Sequence, residues 1–147
     1  LAMRAVLDNC ASVEEAIQYL DGFDIHTGLG NSYHLMLVDK SGDYAVLEWL
    51  DGEMCVTRTP AVTNSVVAPG EHYDEGSPDG RLPAIVEALG DDRVVTEEEA
   101  MGVLGIASSM TSLNEWSCVY NLDNFTVNVC LDTDYETVYT FKASDFE

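Results

Sequence analysis

Basic residues are scarce in this sequence. Six lysines and arginines stand against 27 aspartates and glutamates among 147 residues, so the formal net charge is −21. Because such a surface repels phosphate backbones and anionic headgroups, we expect no nucleic-acid partner and no membrane partner. The acidic residues are spread along the chain and form no single tail. We interpret them as charges that keep the whole surface hydrated, as in proteins of an acidic proteome or a salty habitat.

Long apolar runs and metal-binding spacings are also missing. No apolar stretch approaches the roughly 20 residues that span a bilayer, and Leu1 to Arg4 lack the features of a signal peptide. No two of the four cysteines form a C-x-x-C pair, and the three histidines complete no zinc-like spacing. We therefore expect no metal, no other cofactor, reduced structural thiols and a cytoplasmic location.

Helix signals are present in two parts of the chain. Ser12 and Glu15 have the spacing of a capping box, and so do Thr96 and Glu99. Apolar residues follow each start at helical spacing, and glycines mark two of the ends. Four helices are predicted, at residues 4–9, 12–22, 79–89 and 96–108.

Strand signals alternate with these helices. Asp51-Gly52 between two apolar runs is a strong hairpin signal, and glycine-rich turns lie at 27–31 and 76–78. Seven strands are predicted, at residues 33–39, 43–50, 53–59, 61–64, 115–121, 125–131 and 136–141. Antiparallel strands with segregated helices indicate the α+β class. Helices that cover the apolar sheet faces would give a layered sandwich.

The sequence has no nucleophile-elbow, P-loop, dinucleotide-binding or zinc-protease motif. Two positions are nevertheless candidates for a catalytic site. Asn64 stands where an apolar strand candidate stops, and such an amide can donate to a developing oxyanion. The alternative is an asparagine that caps a turn. Arg81 begins a helix, where a cation gains nothing from the helix dipole. It either lowers the pKa of a neighbouring thiol, binds an anionic group or forms a surface salt bridge.

Four stretches of the chain resemble the C-terminal half of the choloylglycine hydrolase, penicillin V acylase and linear amide C–N hydrolase families. They are also similar to the autoproteolytic penicillin-type acyltransferases. They occur in family order and cover nearly the whole sequence. The stretches are Leu7 to Ala16, Tyr33-His34 through Glu48 to Met54, Val62-Thr63-Asn64, and Trp116 to Asn121 with Tyr135 to Phe141.

The resemblance implies an N-terminal-nucleophile αββα sandwich and cleavage of amides through a thioester. An N-terminal cysteine attacks, and its own α-amine acts as general base. Asn64 matches the family's oxyanion asparagine, and Arg81 falls, in a loose local match, where the family has an arginine near the nucleophile. The family's cysteine belongs upstream of Leu1, whereas Cys10 matches an interior position. Tyr73, Trp49 and Trp116 are candidates for lining the acyl pocket, although we expect the two tryptophans to pack in the core.

Residues 1–147 are therefore expected to be the C-terminal portion of a single N-terminal-nucleophile hydrolase-like domain, inactive without the nucleophile-bearing part. Its parent would cleave N-acyl, bile-salt or penicillin V-like amides. Its partners would be a small-molecule acyl amide and the missing N-terminal segment of the same protein. The alternatives are an acyltransferase, a non-catalytic binding or scaffold domain with the same fold, and a subunit that pairs with a separate nucleophile chain. Apolar edges left by half a sheet also predict a homo-oligomer.

Overall fold

The computed structural model describes residues 2–26, 33–70, 80–90, 95–110 and 114–146. The chain divides into two compact units, Leu1–Pro78 and Asp79–Glu147. In the described residues each unit contains two α-helices and a three-stranded antiparallel sheet, which confirms the α+β class. The turns predicted at 27–31 and 76–78 lie outside the described residues.

The first unit begins with two short helices, α1 (Ala2–Asn9) and α2 (Val13–Leu20). Both match their predicted positions. The Ser12 hydroxyl accepts the backbone N–H of Glu15 at 3.2 Å, as an N-cap does. The Glu15 carboxylate accepts the N–H of Ala11 at 2.7 Å. This donor lies one residue before the one that a capping box uses.

Sheet 1 consists of β1 (His34–Val38), β2 (Tyr44–Leu50) and β3 (Glu53–Thr57), in that order. Asp51 and Gly52 both have positive φ, which the tight turn between β2 and β3 requires, so this hairpin is confirmed. One face of sheet 1 packs against the two helices. The buried core that results consists of Val6, Val13, Ala16, Leu20, Ala45, Leu47 and Trp49.

The fourth strand predicted at Ala61 to Asn64 is wrong, because these residues belong to no strand. Pro60 has no N–H to give to a ladder. The carbonyl of Ala61 accepts the hydroxyl of Thr59 at 3.1 Å. A side-chain hydrogen bond therefore holds this segment. The strand was predicted because Val62 and Thr63 are β-branched, which is typical of strands.

The second unit contains α3 (Arg81–Leu89) and α4 (Glu97–Ser109), followed by sheet 2. Sheet 2 has the order β4 (Trp116–Asn121), β5 (Thr126–Leu131), β6 (Tyr139–Lys142), and a 3₁₀ turn (Ala143–Phe146) follows it.

Local hydrogen bonds set the boundaries in the second unit. The capping box of α4 is complete, with Thr96 and Glu99 each accepting the other's backbone N–H. β6 begins three residues later than predicted, since the Asp134 carboxylate accepts the N–H groups of Glu136 and Thr137 at 3.1 and 3.2 Å. This turn keeps both residues out of the strand.

The buried face of β5 is its polar face. Thr126, Asn128 and Cys130 are buried, and α4 lies on their side of sheet 2, where Glu97 bonds Asn128. The opposite face is apolar and is left half-buried or exposed. Its large exposed side chains, by strand register or adjacency, are Trp116, Tyr120, Phe125, Leu131, Tyr139 and Phe141.

Within the part of the chain that the structure describes, no helix has the length and apolar character needed to cross a membrane.

Candidate functional site

Glu48, at the centre of sheet 1, is a buried charged side chain with only 2% of its surface exposed. Both of its carboxylate oxygens accept the backbone N–H of Val67 at 3.1 Å, and one also accepts the N–H of Ala68 at 2.8 Å. His34, directly opposite on β1, places its Nδ1 3.4 Å from the carboxylate. A buried charge needs such partners, because burial removes the water that would otherwise solvate it.

The two N–H groups belong to a segment that carries Asn64. We call residues 58–68 the Asn64 loop. At its start, the Arg58 guanidinium donates to the Asp43 carboxylate at 2.7 Å and to the Tyr44 carbonyl at 2.9 Å, and also pairs with Glu14. At its end, Val67 and Ala68 are held by Glu48. The loop is therefore fixed at both ends by side chains of the packed unit.

Asn64 lies between these fixed ends, and its side chain is exposed. Ala61 and Ala68, on either side of it, are buried. The loop thus buries Ala61 and Ala68, leaves Thr63 and Ser65 half-buried, and exposes Asn64. An amide in this position is accessible to a ligand while its backbone is restrained.

The hydroxyl of Thr63, next to Asn64, differs from the hydrogen-bonded polar groups described above. Its Oγ1 is buried and has no hydrogen-bond partner among the described residues. Buried hydroxyls are nearly always paired, so this atom marks a point where a partner is expected.

Arg81 is the first residue of α3 and belongs to the second unit, whereas Asn64 belongs to the first. Its side chain is half-buried. The residue before it, Gly80, adopts a left-handed conformation with φ 75° and provides no side-chain cap. This conformation favours glycine and sets the direction in which the helix starts.

The aromatic residues have contrasting environments. Trp49 is 3% exposed, and its indole N–H donates to the Phe23 carbonyl, so it is a core residue. Trp116 is 61% exposed on the apolar face of sheet 2, so the core packing expected of it is wrong. Tyr73, the third pocket candidate from the sequence, lies outside the described residues.

The second unit contains an open cavity of about 520 Å³, lined in part by Glu97, Met101, Asn128 and Tyr135. The amide groups of Asn121 and then Asn128 lower the pKa of the Glu97 carboxyl by donating hydrogen bonds to it. The Tyr135 hydroxyl donates to the Leu104 carbonyl at 3.2 Å. Glu97, Asn128 and Tyr135 therefore all have hydrogen-bond partners within the second unit.

The four cysteines are free thiols, and burial raises the pKa of the Cys130 thiol. Among residues 2–26, 33–70, 80–90, 95–110 and 114–146, no group of three or more histidine, cysteine, aspartate or glutamate side chains is arranged to hold a metal ion.

The chain was compared with known protein families. Residues 1–82, which are 82 of the 147 residues, match the family described as acyl-coenzyme A:6-aminopenicillanic acid acyl-transferase. The chain belongs to this acyl-transferase family. The match includes Glu48, Asn64 and Arg81. It confirms the resemblance to N-terminal-nucleophile families of the penicillin acylase and choloylglycine hydrolase type.

Comparison with curated proteins and with solved structures gave no match.

Sequence reasoning did not assign a role to Glu48. A signal was present, because Glu48 interrupts the otherwise apolar run from Ala45 to Leu50 in the middle strand of a predicted meander. A central strand with both faces covered reads as such a run, so a carboxylate within it must have buried partners. Those partners lie nineteen and twenty residues further along the chain, beyond the reach of local patterns.

Proposed function

We propose that this chain supplies part of the catalytic site of a cysteine-type amidase acting on non-peptide linear amides. In this proposal it is the C-terminal portion of a single N-terminal-nucleophile hydrolase-like domain and is inactive alone. The nucleophile lies on a preceding segment of the full-length protein. Membership in the acyl-transferase family supports the general class of acyl chemistry.

An αββα sandwich is the fold that we propose for the complete domain. Each described sheet has helices on one face, as the outer layers of such a sandwich require. The apolar, exposed face of sheet 2 is the kind of surface that another sheet covers in stacked packing.

The proposed reaction begins when the cysteine sulfur attacks the amide carbonyl carbon. The α-amine of the same cysteine accepts the thiol proton, and the carbonyl oxygen becomes an oxyanion. The Asn64 side-chain NH₂ donates a hydrogen bond to that oxygen. Arg81, in the role that the family resemblance implies, favours the thiolate through its positive charge.

Collapse of the tetrahedral intermediate breaks the C–N bond. The departing amine takes the proton from the α-ammonium group, and the acyl group stays on sulfur as a thioester. Water then attacks the thioester carbon, gives its proton to the α-amine, and releases the carboxylic acid. The returning thiol takes that proton back, so no external oxidant, reductant or metal is required.

The observation that carries this proposal is the arrangement of Asn64. Its side chain is exposed while both ends of its loop are fixed by Arg58 and Glu48. An oxyanion donor must be accessible to substrate and already oriented, because a preorganised donor loses no energy to reorientation during the reaction. Asn64 is accessible, and the fixed ends of its loop restrain its backbone, on which the orientation of the side chain depends.

The test uses the full-length protein with N-acyl amino acids, bile conjugates and penicillin V as substrates. Asn64→Ala should lower kcat by about 10²- to 10³-fold without changing the unfolding temperature. Asn9→Ala is the control, since Asn9 is an exposed asparagine whose amide donates to the Ala5 carbonyl at 2.8 Å. Undiminished turnover in the Asn64 variant would remove this residue from the mechanism.

Acyl transfer is a second candidate, favoured by the description of the matched family, which names an acyl-coenzyme A donor and 6-aminopenicillanic acid as acceptor. In this reaction an amine, in place of water, resolves the thioester. Adding increasing amounts of acceptor amine to a fixed amide substrate separates the two. A transferase diverts the acyl group into a new amide, whereas a hydrolase continues to release the free acid.

A binding or scaffold domain with the same fold is the alternative from another class. It predicts no turnover in the full-length protein and no upstream cysteine followed closely by an arginine and an aspartate. Under the enzyme proposal the partners are a small-molecule acyl amide and the upstream segment. We also propose that residues 1–147 alone self-associate through the apolar face of sheet 2.

A further inference from the structure

We propose that Glu48 is a positioning residue for Asn64. Its buried carboxylate holds the Asn64 loop so that the amide of Asn64 meets the reacting carbonyl in a fixed orientation. The inference rests on the proposed function, because it takes the oxyanion role of Asn64 as given. It adds to the proposed mechanism a residue, Glu48, that contacts neither the substrate nor the nucleophile and acts through Asn64.

The position of Glu48 makes it a rigid anchor. It lies in β2, the middle strand of sheet 1, with His34 opposite on one side and Cys55 opposite on the other. Strand ladders on both sides fix its backbone. Because the side chain is almost completely buried, water does not compete for its oxygens.

The hydrogen bonds to the loop are of the strong, charge-assisted kind. The two successive N–H groups of Val67 and Ala68 converge on one carboxylate, at 2.8 to 3.1 Å. Two donors from adjacent residues fix the direction of the backbone as well as its distance from the sheet.

The tether is short enough to matter for Asn64. Val67 is three residues beyond Asn64, and three residues span at most about 11 Å when fully extended. The other end of the loop is held by Arg58, through Asp43 and the Tyr44 carbonyl. Releasing the Glu48 end would therefore remove the hydrogen bonds that Glu48 makes to the loop on the C-terminal side of Asn64.

A glutamine at position 48 is the sharpest change. It keeps the size of the side chain but replaces one acceptor oxygen with an NH₂ group. That group cannot accept an N–H, so the N–H groups of Val67 and Ala68 must share one neutral oxygen in place of two charged ones. Glu53→Gln is the matched control, because Glu53 is an exposed carboxylate at the start of β3 in the same sheet.

A purely structural glutamate would also be sensitive to substitution, so the test is a double-mutant cycle on kcat. In the full-length protein, Glu48→Gln should lower kcat by about 10- to 100-fold, as misplacing a reacting group does, and should change KM by less than about threefold. In the Asn64→Ala background the same substitution should change kcat by less than about twofold, because the group that it positions is gone.

The cycle separates the failure of the inference from that of the proposed function. An equal fall in kcat in both backgrounds, or no fall in a folded Glu48→Gln protein, overturns the positioning role alone. Full activity of Asn64→Ala overturns the proposed function and the inference with it. Should Glu48→Gln not fold, Glu48→Asp replaces it, with the same expectation, because it withdraws the charge by one methylene.

Hydrogen exchange provides a readout that does not depend on activity. In Glu48→Gln the amides of Val67 and Ala68 should exchange at least about tenfold faster, while Glu53→Gln leaves them unchanged. Unaltered exchange at both amides would show that Glu48 does not hold the loop.

Discussion

The carboxylate of Glu48 accepts the backbone N–H of Ala68 at 2.8 Å, although the two residues are twenty positions apart in the sequence. Both residues are buried, with 2% and 8% of their surfaces exposed. The bond makes the segment after β3 a part of the packed first unit. It also gives the first unit a polar anchor on the face of sheet 1 that is opposite the apolar core.

Replacing Glu48 by alanine should destabilise the first unit by about 2–4 kcal/mol, since the N–H groups of buried Ala68 and half-buried Val67 lose their acceptor. The free energy of unfolding in urea measures this change. Glu53→Ala, at an exposed position of the same sheet, should change it by less than about 0.5 kcal/mol. Equal effects of the two substitutions would show that the buried bonds contribute no special stability.

Thr63→Val should leave residues 1–147 as stable as before, or stabilise them by up to about 1 kcal/mol. Valine has nearly the shape of threonine and removes a buried hydroxyl that has no partner among the described residues. Thr59→Val is the contrasting variant, because it removes the hydrogen bond to the Ala61 carbonyl and should cost about 0.5–1.5 kcal/mol. Urea unfolding of both variants checks the order, and a destabilised Thr63 variant would contradict it.

The second unit should lose stability in acid through Glu97. Hydrogen bonds from Asn121 and then Asn128 lower the pKa of this carboxyl below its ordinary value of 4.5. A carboxyl whose pKa is lower in the folded state stabilises the fold fully above that ordinary value, and the contribution disappears as the pH falls through the folded pKa. The stability difference between wild type and Glu97→Gln should therefore be largest near about pH 7 and shrink below about pH 4.

Urea midpoints across this pH range measure the effect of Glu97. Glu98→Gln is the control, because it removes an exposed charge from the same helical turn. A difference that stays constant down to about pH 3 would rule out the linkage.

Self-association of residues 1–147 should depend on the apolar face of sheet 2. Phe141→Glu places a charge among the exposed apolar side chains and should weaken association by at least about tenfold, by analogy with buried interface anchors. Lys142→Glu, next to it on the opposite face, should have little effect. Light scattering during size-exclusion chromatography gives the mass, and a monomer at every concentration would contradict the prediction.

Helices and turns were predictable because their signals are local. The bond between Thr96 and Glu99, and that between Ser12 and Glu15, each join residues three apart. The positive φ of Asp51 and Gly52 is likewise a property of two adjacent residues. Each of these features forms within one turn of chain, so the sequence carries it almost unchanged into the structure.

The candidate site was predictable in part. Asn64 and Arg81 came from residue type and family resemblance, and both lie within the residues that match the acyl-transferase family. Their catalytic roles remain predictions. Glu48 came only from the structure, since its two donors, Val67 and Ala68, have no spacing pattern that links them to β2.

The sequence by itself determined the class of the fold, the starts of the capped helices, the hairpins and the acyl-transferase resemblance. Tertiary structure alone decided that β5 buries its polar face, because Glu97 on α4 offers a carboxylate to Asn128. It also decided that Ala61 to Asn64 form a held loop and not a strand. The physical reason is the same in both cases. The hydrogen-bond partner of a polar group lies on another segment of the chain, and the alternation of residue types along one segment contains no information about that partner.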